Sequence, residues 1–491
     1  GEIKAYLFGG RLFYLGLNSF PGGGMGIFRV LSVTHWISCV LIIAVMPLGV
    51  SADQIEVKFS VDTILIEDFI KISLPVNAKW SFSAVDLKTG EKILQSGSAN
   101  DDPLVPGSIV KLFVAAAILD ADARKKINLD TVIFHDGKIN GDILDGNIYI
   151  KGLGNAFLSR DDISKAIEDI HIKGIREVTG NILADDSFFD AKRLKSVYNG
   201  PAYSQPSALG LDMHTVALMV FGRPPNVKFD PPNENASVSF KSHGKPLIRQ
   251  INDLEYEVSG ITSATTNKRQ RFPLKDPAIY AAGTFLTLLK EKGITLKGTI
   301  KKGKTPSSVS EVLRIKSKLL PEIVKDMNNN SLNIVAENLL LLLGAVKFGE
   351  PGTAEKGIKA IEAFVGDIGI AFNKSDIKIT DGSGLSRENR ITSEFMTDFL
   401  EAISEKPWFS AFYESLPTAG GEGTLKNIGY VNKSTRAKTG QLNDAYSISG
   451  YADTVKGRKI AFSYIVNVPG ADLLSGDVTG RFLSKLVNGG I

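Results

Sequence analysis

The chain has 491 residues, 43% hydrophobic and 22% charged, which is enough for two or three domains with sizeable cores. This composition excludes a disordered, fibrous or multi-span membrane protein, and 57 basic against 53 acidic side chains (net charge +4) is too even for a nucleic-acid binder. One cysteine excludes a disulfide framework or thiolate metal cluster, and five histidines leave little for a metal site, so no metal and no cofactor is expected.

Residues 1–24 do not begin with Met and fit no signal element, so they are read as an upstream extension foreign to the native chain. From Met25 the chain reads Met-Gly-Ile-Phe-Arg, then an apolar run over 37–49, then Val50-Ser51-Ala52. A basic residue, a short apolar core and a small-x-small site predict a secretory signal over 25–52, cut after Ala52. The core is too short and interrupted for a membrane span, although an uncleaved anchor is the competing reading. Cys39 lies inside this segment, so the mature chain, 53–491, would carry no cysteine.

Residues 79–96 alternate apolar and polar around Asp86-Leu87-Lys88-Thr89-Gly90-Glu91, a hairpin signal. After Pro106-Gly107, an Ala- and Leu-rich run from Ser108 to Leu119 has almost no polar face and predicts a buried helix. From about 131 to 304 short β-type runs such as 146–152 alternate with Gly, Asn, Asp and Pro, including the loop Asp230-Pro231-Pro232-Asn233. The stretch 267–271 reads as a solvated basic loop, and 277–292 as a helix. Helical patterns return at 321–327, 333–343, 354–366 and 392–405. Strands are expected at 446–452 and 459–468, about a Lys456-Gly457 turn, and a closing helix at 474–487. No internal repeat is apparent. The pattern describes a mixed α/β domain built from 53–130 and 305–491, interrupted by a β-rich insertion over 131–304 that divides into two small domains.

The chain carries no His-Glu-x-x-His, P-loop or Gly-x-Ser-x-Gly motif. With His35 lost in the signal, His135, His171, His214 and His243 are far apart in sequence and read as structural or surface residues, which disfavours a Ser-His-Asp triad. A serine can instead be activated by lysine. Ser108 and Lys111, three apart at a helix start, share a face, and a lysine buried near another cation has its pKa pushed down towards a neutral base. Ser-x-x-Lys alone is weak, and Ser242-His243-Gly244-Lys245 repeats it by chance. More telling is the order: Ser108-x-x-Lys111 at a helix start, Ser331-Leu332-Asn333 before an apolar helix, and Lys438-Thr439-Gly440 entering the terminal sheet.

In these motifs the chain resembles the penicillin-recognising serine DD-peptidases and serine β-lactamases, with Leu332 where Asp is common. The insertion is similar to that of one branch, the class C low-molecular-mass penicillin-binding proteins, which are D-alanyl-D-alanine carboxypeptidase/endopeptidases. Supporting stretches are Ala336-Glu337-Asn338-Leu339-Leu340, Asp381-Gly-Ser-Gly-Leu-Ser-Arg-Glu-Asn and Leu416-Pro-Thr-Ala-Gly-Gly-Glu-Gly-Thr-Leu. The resemblance implies a β-lactamase/transpeptidase-like antiparallel sheet flanked by helices. It implies that Ser108 attacks the D-Ala-D-Ala carbonyl and Lys111 takes its proton, while Ser331 and Asn333 relay protons and hold the substrate. Lys438, Thr439 and Gly440 would receive the terminal carboxylate, and the N–H groups of Ser108 and Gln441 would form the oxyanion hole. Asp185 and Arg387 would contact the diamino-acid side chain. The implied partners are peptidoglycan stem peptides and, as covalent inhibitors, β-lactam antibiotics, and the expected location is the periplasm. Departures from the pattern are Gly107, Leu332, Gln441, Asn155-Ala156 and His214. The alternatives are a serine β-lactamase, disfavoured by the large insertion, and a silent peptidoglycan-binding protein, disfavoured by the intact motif set.

Overall fold

The computed structural model describes residues 3–8, 11–18, 27–32, 66–99, 102–192, 194, 203–222, 225–241, 245, 247–260, 268–373, 375–428, 434–471 and 477–488. The chain divides into two units, Gly1–Thr63 and Ile64–Ile491. In the first, strands Ile3–Phe8, Arg11–Asn18 and Ile27–Ser32 form an antiparallel sheet. The third strand falls within the stretch read as a signal, whose apolar core, Cys39 and Val50-Ser51-Ala52 lie outside the described residues. Among the described residues no helix is long and apolar enough to cross a membrane.

The second unit is built on a five-stranded antiparallel sheet. Its strands are β1 (Lys79–Asp86), β2 (Lys92–Gly97), β3 (Arg436–Leu442), β4 (Ala445–Asp453) and β5 (Lys459–Asn467), in the order β3-β4-β5-β1-β2. Thus the hairpin near the start pairs with the strands near the end, and the intervening chain returns to the same sheet. Around it lie α1 (Ile66–Ser73), α2 (Lys111–Arg124), α3 (Leu320–Asn330), α4 (Asn333–Phe348), α5 (Ala354–Asp367), α6 (Ser393–Ile403), α7 (Phe409–Ser415) and α8 (Asp477–Val487).

Strands β4 and β5 are buried nearly throughout because both sheet faces are covered. On one face Phe82, Phe462 and Tyr464 pack on Phe482 of α8, with the Tyr464 and Phe482 rings stacked at 4.6 Å. The other face carries small hydroxyl side chains, Ser83, Ser449 and Ser463, which allow α6 to approach closely. The buried hydroxyls bond one another and the helix: Ser83 Oγ lies 2.8 Å from Thr397 Oγ1, and Ser449 Oγ 2.9 Å from Ser463 Oγ. Helix α2 is apolar all round because α3, α4, α5 and α7 surround it, and Leu112 to Leu119 are at most 2% exposed. The Ser108 segment differs from expectation in starting as a 3₁₀ turn, Gly107–Val110, and becoming α-helical only at Lys111.

Between α2 and α3 the chain builds a sheet of Thr131–His135, Ile148–Gly152, Ile182–Asp185, Ile300–Lys302 and Ser310–Ile315. It contains a repeat not apparent from the sequence: Gly146-Asn147-Ile148, Gly180-Asn181-Ile182 and Gly298-Thr299-Ile300 stack in parallel register. Asn147 Oδ1 accepts from Asn181 N at 2.8 Å, and Asn181 Oδ1 from Thr299 N at 3.1 Å. The repeat is three residues long and widely spaced, so only stacking exposes it. A helix, Arg160–Ile172, also lies where a β-rich texture was expected. Its signals were available: a Ser159/Asp162 capping box, then Ile163, Ala166, Ile167 and Ile170 on one buried face. The basic stretch expected as a loop is, from Lys268 onward, a strand (Lys268–Pro273) whose charged side chains are solvated while Phe272 is buried. The insertion has two hydrophobic cores, one around Ile133, Ile150, Ile167 and Phe285, the other around Val216, Leu218, Tyr256 and Phe272.

Three successive residues, Asp212, Met213 and His214, have left-handed φ of 47°, 55° and 58°. His214 is fully buried, Nδ1 lies 2.8 Å from the Gln205 carbonyl, and Nε2 has no hydrogen-bond partner. Asn and His tolerate this backbone conformation better than most residues, so His214 fits where Asn is frequent. The Asn155-Ala156 departure is also accommodated, since Asn155 Oδ1 accepts from Phe157 N at 2.9 Å. Burial pushes the His214 imidazole down to about 4 from an ordinary 6.5, against the opposing Gln205 bond. The native state therefore refuses a proton that the unfolded chain accepts. Stability should fall as pH drops from 6.5 towards 4, by up to about 3 kcal/mol, and level off below that for this group. Denaturant titrations across this range should show a smaller decline for His214→Asn than for the parent; equal declines would contradict the assignment.

Candidate active site

The turn Pro106-Gly107-Ser108 lies against the last strands of the sheet. Ser447 Oγ of β4 donates to the Pro106 carbonyl, and a Cβ built on Gly440 would lie 2.8 Å from Ser108 N. Glycine is required at three positions here. Gly107 has φ +57° beside the Gln441 nitrogen, Gly384 has φ +83° with its Cβ direction 2.0 Å from the Gly107 carbonyl, and Gly440 has no room for a side chain. The Ser108 and Gln441 backbones are thereby brought together.

Lys111, the first residue of α2, is fully buried. Its Nζ donates to Ser108 Oγ at 2.9 Å, Asn333 Oδ1 at 2.8 Å and the Ser383 carbonyl at 2.6 Å. Ser108 Oγ itself donates to the Ser383 carbonyl at 3.2 Å. Burial drives the Lys111 ammonium down to about 7, although the Asp381 and Glu337 carboxylates push back.

Ser331 terminates α3 in the left-handed conformation, φ 53° and ψ 42°, and Asn333 opens α4. The tight corner presents Ser331 and Asn333 to opposite partners: Asn333 meets Lys111, and Ser331 Oγ accepts from Lys438 Nζ at 2.9 Å. Leu332 between them packs on the helical core, which accounts for an apolar residue in that position. Lys438, on β3, is fully buried and also donates to the Thr439 carbonyl at 2.7 Å. Burial and the nearby Lys111 charge lower its pKa well below the ordinary value. Thr439 Oγ1 donates to Thr424 Oγ1 at 2.9 Å.

The five residues expected to carry chemistry thus form two linked clusters, Ser108–Lys111–Asn333 and Ser331–Lys438, with Thr439, Gly440 and Gln441 alongside on β3. The other two expectations have different surroundings. Arg387 is half exposed and grips Asp444 of the β3–β4 turn bidentately, with Nε 3.0 Å from Oδ2 and Nη2 3.0 Å from Oδ1. Asp185 is 1% exposed and accepts from Ser187 N at 3.0 Å and Thr305 N at 2.8 Å. Burial pushes its carboxyl up, but these bonds outweigh burial and hold it below the usual range. Its oxygens are committed to backbone, so it holds insertion loops and is not presented to solvent.

Sequence reasoning missed the Ser383 carbonyl and the buried Glu337 and Asp381 behind it. Glu337 accepts from Gly382 N at 3.0 Å and Ser383 N at 2.8 Å; Asp381 accepts from Gly384 N at 2.8 Å and Ser386 N at 2.7 Å. A backbone acceptor leaves no residue-type signature, but both acids stand in the stretches that carried the resemblance. None of His135, His171 or His214 appears in these clusters. A serine hydroxyl against a buried amine, with the Ser108 and Gln441 backbone nitrogens close by, is an arrangement that can support nucleophilic acyl transfer.

The profile of the D-Ala-D-Ala carboxypeptidase 3 (S13) family matches residues 68–478. The chain is 25% identical over 444 residues to the D-alanyl-D-alanine carboxypeptidase DacB of Haemophilus influenzae, covering 84% of this chain and 91% of that protein. It is 28% identical over 426 residues to the D-alanyl-D-alanine carboxypeptidase of Actinomadura sp. (strain R39), covering 78% and 76%. In fold it is similar to the crystal structure of penicillin binding protein 4 (dacB) from Haemophilus influenzae, with a TM-score of 0.71 and 23% identity over 86% of this chain and 98% of that one.

The crowding at Gly440 is testable. A Cβ there would lie 2.3 Å from Ser447 Oγ and 2.5 Å from the Pro106 carbonyl. Gly440→Ala should lower stability by about 1–3 kcal/mol in thermal or denaturant melts. The control Gly366→Ala, with open space around it, should be neutral or stabilising. Equal effects would sink the packing argument.

Proposed function

The chain belongs to the D-Ala-D-Ala carboxypeptidase 3 (S13) family, and on that footing we propose that it is a secreted, periplasmic serine-type D-Ala-D-Ala carboxypeptidase that trims peptidoglycan stem peptides through an acyl-enzyme on Ser108. The observation that carries the reading is the fully buried Lys111 amine, 2.9 Å from Ser108 Oγ. As the free amine it takes the Ser108 proton while Oγ attacks the carbonyl of the D-Ala-D-Ala bond. The N–H groups of Ser108 and Gln441 receive the oxyanion; one such donor is worth about 2.7–4 kcal/mol. Ser331 relays the proton taken up by Lys111 to the departing D-Ala amine, Asn333 holds the substrate amide, and Lys438 with Thr439 meets the terminal carboxylate. Water then hydrolyses the ester and frees Ser108. The same steps cleave a cross-link when the leaving amine belongs to a second stem peptide, which is DD-endopeptidase action. Arg387 meets the diamino-acid side chain by exchanging its bond to Asp444.

A β-lactam presents a strained amide in place of the D-Ala-D-Ala bond and acylates Ser108. Secretion rests on the signal-type stretch 25–52. We assign 53–130 and 316–491 to the peptidase domain and 131–315 to the insertion, moving the expected boundary at 304 because strand Ser310–Ile315 pairs into the insertion's sheet and Val312 into its core. Two separate hydrophobic cores support two small inserted domains.

A fluorescent penicillin should label the protein persistently and Ser108→Ala not at all, and the protein should release D-Ala from a muramyl pentapeptide. Rapid turnover with free hydrolysed drug would favour a β-lactamase, and no labelling would exclude both. The base must be neutral, so acylation should rise with pH through about 7 and fade as Lys111 protonates below it. A rate independent of pH between 5.5 and 8.5 would contradict Lys111 as the base.

A further inference from the structure

Ammonium and free amine make different demands at Lys111. The ammonium satisfies three acceptors: Ser108 Oγ, Asn333 Oδ1 and the Ser383 carbonyl. A free amine has two N–H groups and one lone pair. If the two N–H groups stay on Asn333 Oδ1 (2.8 Å) and the Ser383 carbonyl (2.6 Å), the lone pair faces Ser108 Oγ at 2.9 Å. Those two acceptors therefore aim the base. Asn333 Oδ1 is a side chain, at the start of a helix. The Ser383 carbonyl belongs to a loop, and a loop carbonyl is aimed only if its peptide planes are held.

Glu337 holds them. It is fully buried, one turn along α4 from Asn333, and its two oxygens accept from the consecutive N–H groups of Gly382 and Ser383. We infer that Glu337 is a positioning residue for acylation, acting through the Ser383 carbonyl to turn the free amine of Lys111 towards Ser108. The inference rests on the proposed acyl-enzyme on Ser108. Asp381 supports the same loop from its other side, through Gly384 N and Ser386 N and Asn389 Nδ2. Glu337 also acts by charge, since its carboxylate, after that of Asp381, opposes the burial that deprotonates Lys111.

The test measures, in the full chain, the acylation rate constant with a chromogenic or fluorescent penicillin from pH 5 to 9, alongside a thermal melt. Glu337→Gln keeps the size, but loses the charge and turns an amide N–H towards one of the two backbone N–H groups. Its alkaline plateau should drop about 10- to 100-fold. Its acid limb should shift to lower pH, because removing a negative charge makes the Lys111 ammonium easier to deprotonate. Glu337→Asp keeps the charge but shortens the reach by one methylene, so it should lower the plateau and leave the acid limb in place. A merely structural role would lower melting temperature and active fraction without moving the limb. An unchanged plateau and limb in Glu337→Gln overturns the inference. If that variant does not fold, an unchanged plateau in Glu337→Asp overturns it. Failure of the underlying reading is separate: the parent protein would take no label, or Ser108→Ala would take it.

Discussion

A lysine amine with no access to water sits at the centre of this molecule. Removing an ammonium from water is expensive, and a protein accommodates it by surrounding the nitrogen with acceptors or by letting the proton go. Lys111 has both options. Three oxygens surround it, and burial brings its pKa down to about 7, the range in which it can hold or release a proton. Each oxygen comes from a different place: Ser108 from the 3₁₀ turn, Asn333 from the start of α4, and Ser383 from the loop after α5. A second buried lysine, Lys438, adds a like charge nearby. This cluster requires the apolar α2, the glycines that crowd the turn against β3, and the buried acids behind the Ser383 loop.

Helix α4 ties most of these requirements together. Asn333 meets the ammonium, Glu337 one turn later holds the loop, and Asn338 donates to the carbonyls of Gly154 at 3.2 Å and Ser207 at 3.0 Å in the insertion. One element thus touches the Lys111 amine, the Ser383 loop and the inserted region. The rest of α4 is apolar and buried from Leu339 to Leu343, so it has little freedom to shift. Gly154 and Ser207 of the insertion are thus connected to the amine through a single helix. The insertion in turn is stitched by its Gly-Asn ladder and by the left-handed turn at Asp212 to His214.

Much of this was legible in the chain. The buried α2 follows from a run of Ala, Leu, Ile, Val and Phe with no polar face. The terminal sheet follows from two long apolar strands about a Lys-Gly turn. The order Ser-x-x-Lys, Ser-x-Asn, Lys-Thr-Gly picked out Ser108, Lys111, Ser331, Asn333 and Lys438, which the fold brings into two linked clusters. The misses have physical reasons. The helix Arg160–Ile172 was hidden by the β texture around it, despite its capping box. The three-residue ladder shows only when strands far apart in sequence align. Asp185, expected at the substrate from its motif position, also accepts from the backbone N–H groups of Ser187 and Thr305, a bonding pattern that its place in the sequence does not reveal.

The sequence by itself singled out Ser108 as the candidate nucleophile, because its only cysteine falls in a signal-type segment and only one choice of serine and lysine motifs has the right order and local structure. It also determined the mixed α/β architecture with a large insertion, through hydrophobic periodicity and the spacing of the motifs. Only the tertiary structure decided which acceptors meet Lys111, how far burial lowers its proton affinity, and that a backbone carbonyl with two buried carboxylates behind it belongs to the site. Those properties depend on desolvation and on ångström distances between segments more than 200 residues apart, such as Lys111 and Asn333, and no local pattern of residue types encodes them.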